Sequence, residues 1–147
     1  MFITLFLVGL FAVESNPENA THPPKTEITG VWVTADGDAH IEITIEDDEL
    51  NGVIIWAEDM YEDDGETLVK DTNNPDPDLR NQPIKGLKII WGFSYSDGEW
   101  RGGRVYDPEN GREYRGRIRL EEDGTLRLRG YVGISAFGRT ERWTRLE

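Results

Sequence analysis

The sequence contains no cysteine among its 147 residues. Disulfide bridges, thiolate catalysis, iron–sulfur clusters and cysteine-ligated zinc sites are therefore excluded. Histidine is also scarce: His22 and His40 are the only two, and a pair this far apart makes a poor zinc set. None of the four serines lies in the Gly-x-Ser-x-Gly turn that presents a catalytic nucleophile: they are Ser15, Ser94, Ser96 and Ser135. Carboxylates are abundant, but nothing singles out a glycosidase-type pair. We expect a protein that is not an enzyme and has no cofactor.

Positive charge is scarce in the first part of the chain. Residues 1–83 carry three basic residues against 19 acidic ones, whereas residues 84–147 carry 13 against 10, and the whole chain has a net charge of −13. A chain this acidic is not expected to bind nucleic acid, because phosphates would be repelled. The uneven distribution fits a soluble barrel with an acidic loop region, or alternatively a binding surface with polarised charge.

Long apolar runs are absent apart from residues 2–13. Twelve residues are too few to cross a bilayer comfortably, which takes about 20, but they match the apolar region of a signal peptide. Small residues fit cleavage after Ser15 or after Ala20. No basic residue precedes the run, and a short membrane anchor or an extra strand is the alternative. We expect a signal peptide over 1–15, a disordered polar linker over 16–27, and one domain over 28–147 that is periplasmic or secreted, with no transmembrane segment in the mature protein.

What the sequence does contain is typical of short strands and tight turns. It has 16 glycines and five each of Trp, Tyr and Phe, and no segment has a convincing helical period. Ile41, Ile43 and Ile45 alternate with polar residues, as in a half-buried strand. Similar runs separated by turns predict strands over 28–34, 40–45, 50–56, 84–94, 100–106, 113–120, 126–132 and 136–145. We therefore predict an all-β fold: an eight-stranded antiparallel up-and-down meander that closes into a barrel without exposed edges.

One long segment interrupts this pattern. Residues 57–83 are turn-rich and carry nine carboxylates, with a short strand indicated near 67–69. Loops of this length are often functional. Oxygens of Asp71, Asn73, Asp76 and Asp78 are candidates for a Ca²⁺ site, but the spacing lacks the Gly and the terminal Glu of an EF-hand loop. A solvated acidic loop is the simpler interpretation.

Arginines alternate with apolar residues on two neighbouring predicted strands. They would lie side by side, and like charges across a strand pair repel each other. We expect an outer barrel face on which they pair with glutamates, or alternatively a patch for an anion or a membrane headgroup. The arginines are Arg115, Arg117, Arg119, Arg127 and Arg129, and the expected partners are Glu99, Glu113, Glu121 and Glu141.

Aromatic residues on the predicted strands either fill the barrel core or line a ligand cavity. Eight strands enclose just enough room for packed side chains or for one small ligand. Trp100, Arg104 and Tyr106 share one predicted strand face, so Arg104 is a candidate polar group of a pocket or a rim residue. The candidate lining residues are Trp32, Trp56, Trp91, Trp100, Arg104, Tyr106, Tyr114, Phe137 and Trp143.

The end of the sequence predicts how the barrel closes. Residues 126–132 and 136–145 form two patterned runs joined by a connection of small residues. We expect the last strand to pair both with its predecessor and with the first strand around Trp32. Gly133, Gly138 and Trp143 are then residues of closure and packing rather than of an active site.

Several sequence blocks follow one another in a distinctive order: GVW at 30–32, NGVI at 51–54, PIKGL at 83–87, WRGGRVYDPENG at 100–111, LRLRGYVG at 126–133, FGRT at 137–140 and WTR at 143–145. These blocks resemble the bacterial domain-of-unknown-function family 2147. The resemblance implies a small exported protein with a lipocalin-like barrel and no established molecular function, so it supplies no catalytic residues. Many members carry a Cys-x-x-Cys pair before the PIKGL block, but residues 71–80 contain no cysteine. The chain resembles the cysteine-free branch, and a metal or redox role of that pair is not supported.

Two functions from different classes remain open. The first is a non-catalytic, monomeric barrel that binds a small apolar or amphipathic ligand in its interior. The second is a structural or protein-interaction module of the cell envelope that uses the charged outer face and the acidic loop.

Overall fold

The computed structural model describes residues 22–147. The predicted signal peptide and residues 16–21 of the predicted linker lie outside this range. Eight antiparallel strands form one closed barrel in sequence order, which confirms the predicted fold. The strands are β1 (Gly30–Val33), β2 (Ala39–Glu46), β3 (Glu49–Ala57), β4 (Lys88–Ser96), β5 (Glu99–Asp107), β6 (Arg112–Leu120), β7 (Leu126–Tyr131) and β8 (Arg139–Arg145). Short 3₁₀ helices lie at Lys25–Ile28, Pro77–Leu79 and Ser135–Phe137.

Strand β8 closes the barrel by pairing with both β7 and β1, as the sequence predicts. Trp143 lies opposite Leu126 on β7, and Arg145 lies opposite Trp32 on β1. The β1–β8 ladder is short, and side chains reinforce it. The Arg145 guanidinium lies 4.4 Å from the centre of the Trp32 ring and donates to the carbonyl oxygen of Thr29 at 2.8 Å. A cation over an aromatic face contributes about 0.5–2 kcal/mol, so this contact helps to hold the first and last strands together.

One end of the barrel, which we call the closed end, is filled. The β2–β3, β4–β5 and β6–β7 turns lie there, and the 3₁₀ helix Lys25–Ile28 covers it. Ile28 is 1% exposed, and its carbonyl oxygen accepts a hydrogen bond of 2.8 Å from the Trp32 indole. Lys25 pairs with Asp48 of the β2–β3 turn at 3.0 Å. The sequence predicts a disordered linker through residue 27, but residues 25–27 belong to this helix because burial of Ile28 anchors them against the barrel.

Irregularities in three strands change which side chains face inward. On β3, Ile54 lies opposite Ile41 but Trp56 lies opposite His40, so Ile55 is an extra residue. The register of β5 shifts between Arg101 and Arg104, where Gly102 and Gly103 are adjacent and permit a bulge. On β4, Gly92 has a φ of +73°. Each bulge reverses the inward–outward alternation along the rest of its strand.

The outer face of β5–β7 carries the predicted arginines side by side. Arg117 on β6 lies opposite Arg101 on β5 and Arg129 on β7. Of the five predicted arginines, Arg119 pairs with Glu121 at 3.1 Å, and Arg127 lies 3.9 Å from the same carboxylate. The expected glutamates Glu99 and Glu113 pair instead with Arg101 at 2.7 Å and Arg104 at 3.1 Å. Ion pairs in which the arginine stays accessible to solvent each contribute about 0–1 kcal/mol. The Glu121 carboxylate offsets part of the repulsion between Arg119 and Arg127, which lie opposite each other on β6 and β7.

Candidate functional site

The other end of the barrel, opposite the 3₁₀ helix Lys25–Ile28, we call the open end. It contains a cavity of about 800 Å³. This volume lies in the range of about 300–1,000 Å³ that is typical of small-molecule sites. Apolar side chains from six strands form its inner wall. They are Ile41 of β2, Ile54 of β3, Ile89 of β4, Val105 of β5, Leu128 of β7 and Trp143 of β8.

The cavity exists because side-chain size differs between the two halves of the barrel. Large rings occupy the closed half, where Trp32, Phe93 and Trp100 are at most 1% exposed. The wall of the open half instead includes Ala39 and Ala57, which lie opposite each other on β2 and β3. A closed barrel of fixed strand number cannot contract around small side chains. The interior is therefore packed at one end and hollow at the other.

The mouth of the cavity is formed by four connections between strands. These are the β1–β2 turn, the long β3–β4 segment, the β5–β6 turn and the β7–β8 connection. The last of these contributes an apolar lip, where Val132, Ile134 and Phe137 are 69%, 61% and 83% exposed. Exposed apolar side chains gathered at a cavity entrance are typical of a binding surface.

The long β3–β4 segment is fixed to the barrel through a buried carboxylate. Asp71 is 1% exposed and accepts hydrogen bonds of 2.8 Å from the Tyr106 hydroxyl and 2.8 Å from the Asn74 side chain. Burial, together with the hydrogen bond to the Asp71 carboxylate, raises the pKa of the Tyr106 phenol. The Asn73 amide donates to the carbonyl oxygens of Pro108 and Glu109 at 3.1 Å and 2.9 Å. The segment is therefore a fixed wall of the mouth.

These contacts also bear on the acidic loop that the sequence predicts. The Asp71 carboxylate is buried rather than solvated, because it accepts a hydrogen bond from the Tyr106 hydroxyl. Asp76 accepts the backbone N–H of Asp78 at 3.0 Å and caps the short 3₁₀ helix. In place of the indicated strand near 67–69, the segment has single bridges, Tyr61 to Leu68 and Lys70 to Pro83. Within residues 22–147, no group of three or more His, Asp or Glu side chains is arranged to hold a metal ion.

Four of the nine candidate lining residues lie at the cavity. Trp143 forms part of the inner wall, Tyr106 and Tyr114 lie along β5 and β6, and Phe137 stands at the mouth. Trp32 and Trp100 are 0% and 1% exposed and belong to the packed core rather than to the cavity wall. Ligand binding by the four cavity residues stays a prediction.

The other three candidates lie on the outside of the barrel. The extra residue Ile55 turns Trp56 outward, where it is 38% exposed and its ring centre lies 4.5 Å from that of His40. Trp91 pairs with Arg104 across β4 and β5, next to the inward pair Ile90–Val105. Arg104 therefore faces outward, toward Glu113. The sequence-based expectation placed these side chains inside because it continued a strict alternation through the bulges.

Sequence reasoning missed the aliphatic wall and the small residues that create the space. The signal for Ile41 was present, since it alternates with Ile43 and Ile45. Attention to aromatic residues favoured the rings over Leu128, although it alternates with Leu126 on β7. Val105 faces inward only because of the register shift in β5, which strict alternation does not predict. The small pair Ala39–Ala57 has no local signal, because only strand pairing brings the two alanines together.

Within residues 22–147, no helix is long and apolar enough to cross a membrane.

Replacing Tyr106 with phenylalanine tests the attachment of the β3–β4 segment. The substitution leaves the buried Asp71 carboxylate without its hydroxyl donor, and a hydrogen bond to a charged group is worth about 1.5–3 kcal/mol. We expect Tyr106→Phe to lower the free energy of unfolding in urea by that amount and to speed hydrogen exchange across residues 69–84. Tyr95→Phe is the matched control, since the Tyr95 hydroxyl has no hydrogen bond to residues 22–147. Equal losses in the two variants would contradict the attachment.

Comparison with known proteins supports the barrel fold. The model of a family described as "Uncharacterized protein conserved in bacteria (DUF2147)" matches residues 30–145. Among solved structures, the chain is similar to protein HP1028 from the human pathogen Helicobacter pylori, described as belonging to the lipocalin family. The TM-score is 0.69 at 24% identity, over 81% of this chain and 82% of that chain. A likeness at this identity shows the fold, which is lipocalin-like. No curated protein matches the sequence.

Proposed function

The chain belongs to the DUF2147 family of uncharacterised bacterial proteins, and from its lipocalin-like barrel we propose that it binds a small apolar or amphipathic ligand without catalysing a reaction. The observation that carries the proposal is the cavity of about 800 Å³ with an apolar wall drawn from six strands. Apolar ligand surface that enters it leaves water at a gain of about 25 cal/mol per Å².

The fixed mouth supports binding to a preformed site. The Asp71–Tyr106 and Asn73–Pro108 contacts hold one side of the entrance in place, so little ordering is needed when a ligand enters. Preorganisation of this kind reduces the entropic cost of binding. For a ligand of ten to fifteen heavy atoms, we expect dissociation constants on the order of micromolar.

The side chains that line the cavity support a role in binding rather than catalysis. Of the lining side chains in residues 22–147, none belongs to a serine or a histidine. His40 packs on Trp56 outside the barrel, and His22 lies beside Gly98 at the closed end. A serine nucleophile paired with a histidine base is therefore not assembled from the residues described at this site.

The proposed site of action is the periplasm or the exterior of the cell. The apolar run at residues 2–13 supports this, because its length suits a signal peptide. Fractionation of cells that express the full chain tests the export step, and terminal sequencing of the mature protein distinguishes cleavage after Ser15 from cleavage after Ala20.

A cavity-filling variant tests the binding proposal. Ala57 faces the cavity at the end of β3, so Ala57→Phe places a ring in the space that a ligand would occupy. We expect the wild type to bind the neutral probe N-phenyl-1-naphthylamine with increased fluorescence, and Ala57→Phe to bind it at least about tenfold more weakly, a loss of about 1.4 kcal/mol.

The matched control is Val53→Phe on the same strand. Val53 lies opposite the exposed Glu42, so the added ring points to solvent and should leave probe affinity unchanged. Circular dichroism and thermal unfolding establish that both variants fold. Absence of probe binding in the wild type, together with no co-purified ligand in native mass spectrometry, would refute the proposed function.

A further inference from the structure

The charge around the cavity is predominantly negative. Seven carboxylates and only two basic side chains line it, and the carboxylates come from four separate parts of the chain. They surround the entrance rather than clustering on one loop. The acidic residues are Asp36, Asp38, Glu58, Asp59, Asp107, Glu109 and Glu141, and the basic residues are Lys70 and Arg139.

Little of this negative charge is neutralised by neighbouring cations. Arg139 pairs with Glu141 at 3.3 Å, and among residues 22–147 the other six carboxylates have no ion pair. Asp38 accepts from the Thr34 hydroxyl and Asp107 accepts from the Glu109 backbone N–H, but these donors are neutral. A field of unpaired carboxylates at an entrance concentrates cations and repels anions.

The carboxylates also act on one another. Partial burial, and then the negative charges of Asp107, Asp38, Asp36 and Glu141, raise the pKa of the Glu109 carboxyl. Asp36 and Asp38 lie in the β1–β2 turn, Asp107 is the last residue of β5, and Glu141 lies on β8. The shift therefore reports repulsion across the entrance, which a positive charge placed there would relieve.

Apolar and acidic surfaces are arranged in layers along the axis of the barrel. Ile41, Leu128 and Trp143 form part of the inner wall. Glu141 lies opposite Leu128 at the level of this wall, and the other six carboxylates lie at strand ends or in the connections at the entrance. Building on the proposed ligand binding, we infer that the ligand is a cationic amphiphile, with an apolar body in the cavity and a protonated or quaternary amine at the mouth. A fatty acid in the same pose would bring its carboxylate among seven others.

Three probes with the same ten-carbon chain test the inference: decyltrimethylammonium, decanol and decanoate. Each is titrated against bound N-phenyl-1-naphthylamine at pH 8 in low salt, below its micelle concentration. We expect decyltrimethylammonium to displace the reporter at concentrations at least about tenfold lower than decanoate, with decanol between them. In 1 M salt, where the screening length is about 3 Å, the difference should largely disappear.

A pair of charge variants locates the source of the preference. Asp36→Asn/Glu58→Gln/Glu109→Gln removes three negative charges from the mouth. Glu46→Gln/Glu49→Gln/Glu122→Gln removes the same number from two strand ends and a turn at the closed end. The first variant should reduce the ratio of cation to anion affinity at least about threefold, and the second should leave the ratio unchanged.

The outcomes separate this inference from the proposed function. If the reporter binds but the three decyl probes displace it equally, or decanoate does so best, the cavity binds ligands and the charge preference is wrong. If both variants reduce the ratio equally, net charge and not the mouth is responsible, and the inference also fails. If the reporter itself does not bind and native mass spectrometry finds no co-purified ligand, the proposed function and the inference are both wrong.

Discussion

Trp143→Ala should lower the free energy of unfolding by about 3–5 kcal/mol, the usual loss for a large aromatic side chain removed from a core. Trp143 is 3% exposed and lies opposite Leu126 where β7 and β8 pair. Its indole N–H donates to Glu141 at 3.1 Å. The strands around it are held in a closed ladder, so they cannot collapse into the space that the ring leaves.

Trp56→Ala is the control of the same residue type. Its ring lies on the outer face, 38% exposed and stacked on His40, so we expect a loss of no more than about 1 kcal/mol. Far-UV circular dichroism in urea measures both variants without relying on tryptophan fluorescence. A Trp143→Ala protein as stable as the wild type would show that the barrel does not depend on this strand pair.

Gly103→Ala should be the most damaging substitution for the size of the change, at about 3 kcal/mol or more. The Phe93 ring is fully buried and lies directly over two glycines of the neighbouring strands. A Cβ atom at Gly103 would overlap the ring itself, and one at Gly116 would lie 2.7 Å from its tip. The ring has no room to move, because Leu50 lies opposite Phe93 on β3 and is likewise buried.

Gly130→Ala provides the matched control. A Cβ atom there would lie 3.7 Å from that of Tyr114, which is an ordinary contact, so we expect a change of less than about 1 kcal/mol. A second measurement isolates the steric cause. In the Gly103→Ala background, Phe93→Leu should cost less than it does alone, because the smaller side chain relieves the overlap. Additive effects of the two substitutions would show that the ring is not what excludes the methyl group.

Much of the architecture follows from local pattern. The alternation at Ile41, Ile43 and Ile45 places β2, and the adjacent Gly102 and Gly103 indicate the bulge in β5. The number of strands, their antiparallel order and their closure through β8 could all be predicted in this way. Each depends on residues close together in sequence, where a period of two decides which side chains share a face.

The site was less predictable because it depends on bulges and on contacts between residues far apart in sequence, which local patterns do not indicate. A single extra residue, Ile55, places Trp56 outside the barrel, and no feature of the surrounding sequence signals it. The Asp71–Tyr106 hydrogen bond joins residues 35 positions apart. Tyr114 and Trp143 could be placed at the cavity since no bulge intervenes between them and the predicted strand pattern.

Both ends of the described chain leave the barrel on the same side. The 3₁₀ helix that begins at Lys25 covers the closed end. Strand β8 runs from Arg139 at the mouth to Arg145, which contacts Thr29 beside that helix. An affinity tag, a surface linker or a fused protein joined to Glu147, or to a chain shortened to begin at His22, would therefore be attached opposite the cavity. A molecule tethered in this way would present its entrance to the surrounding solution.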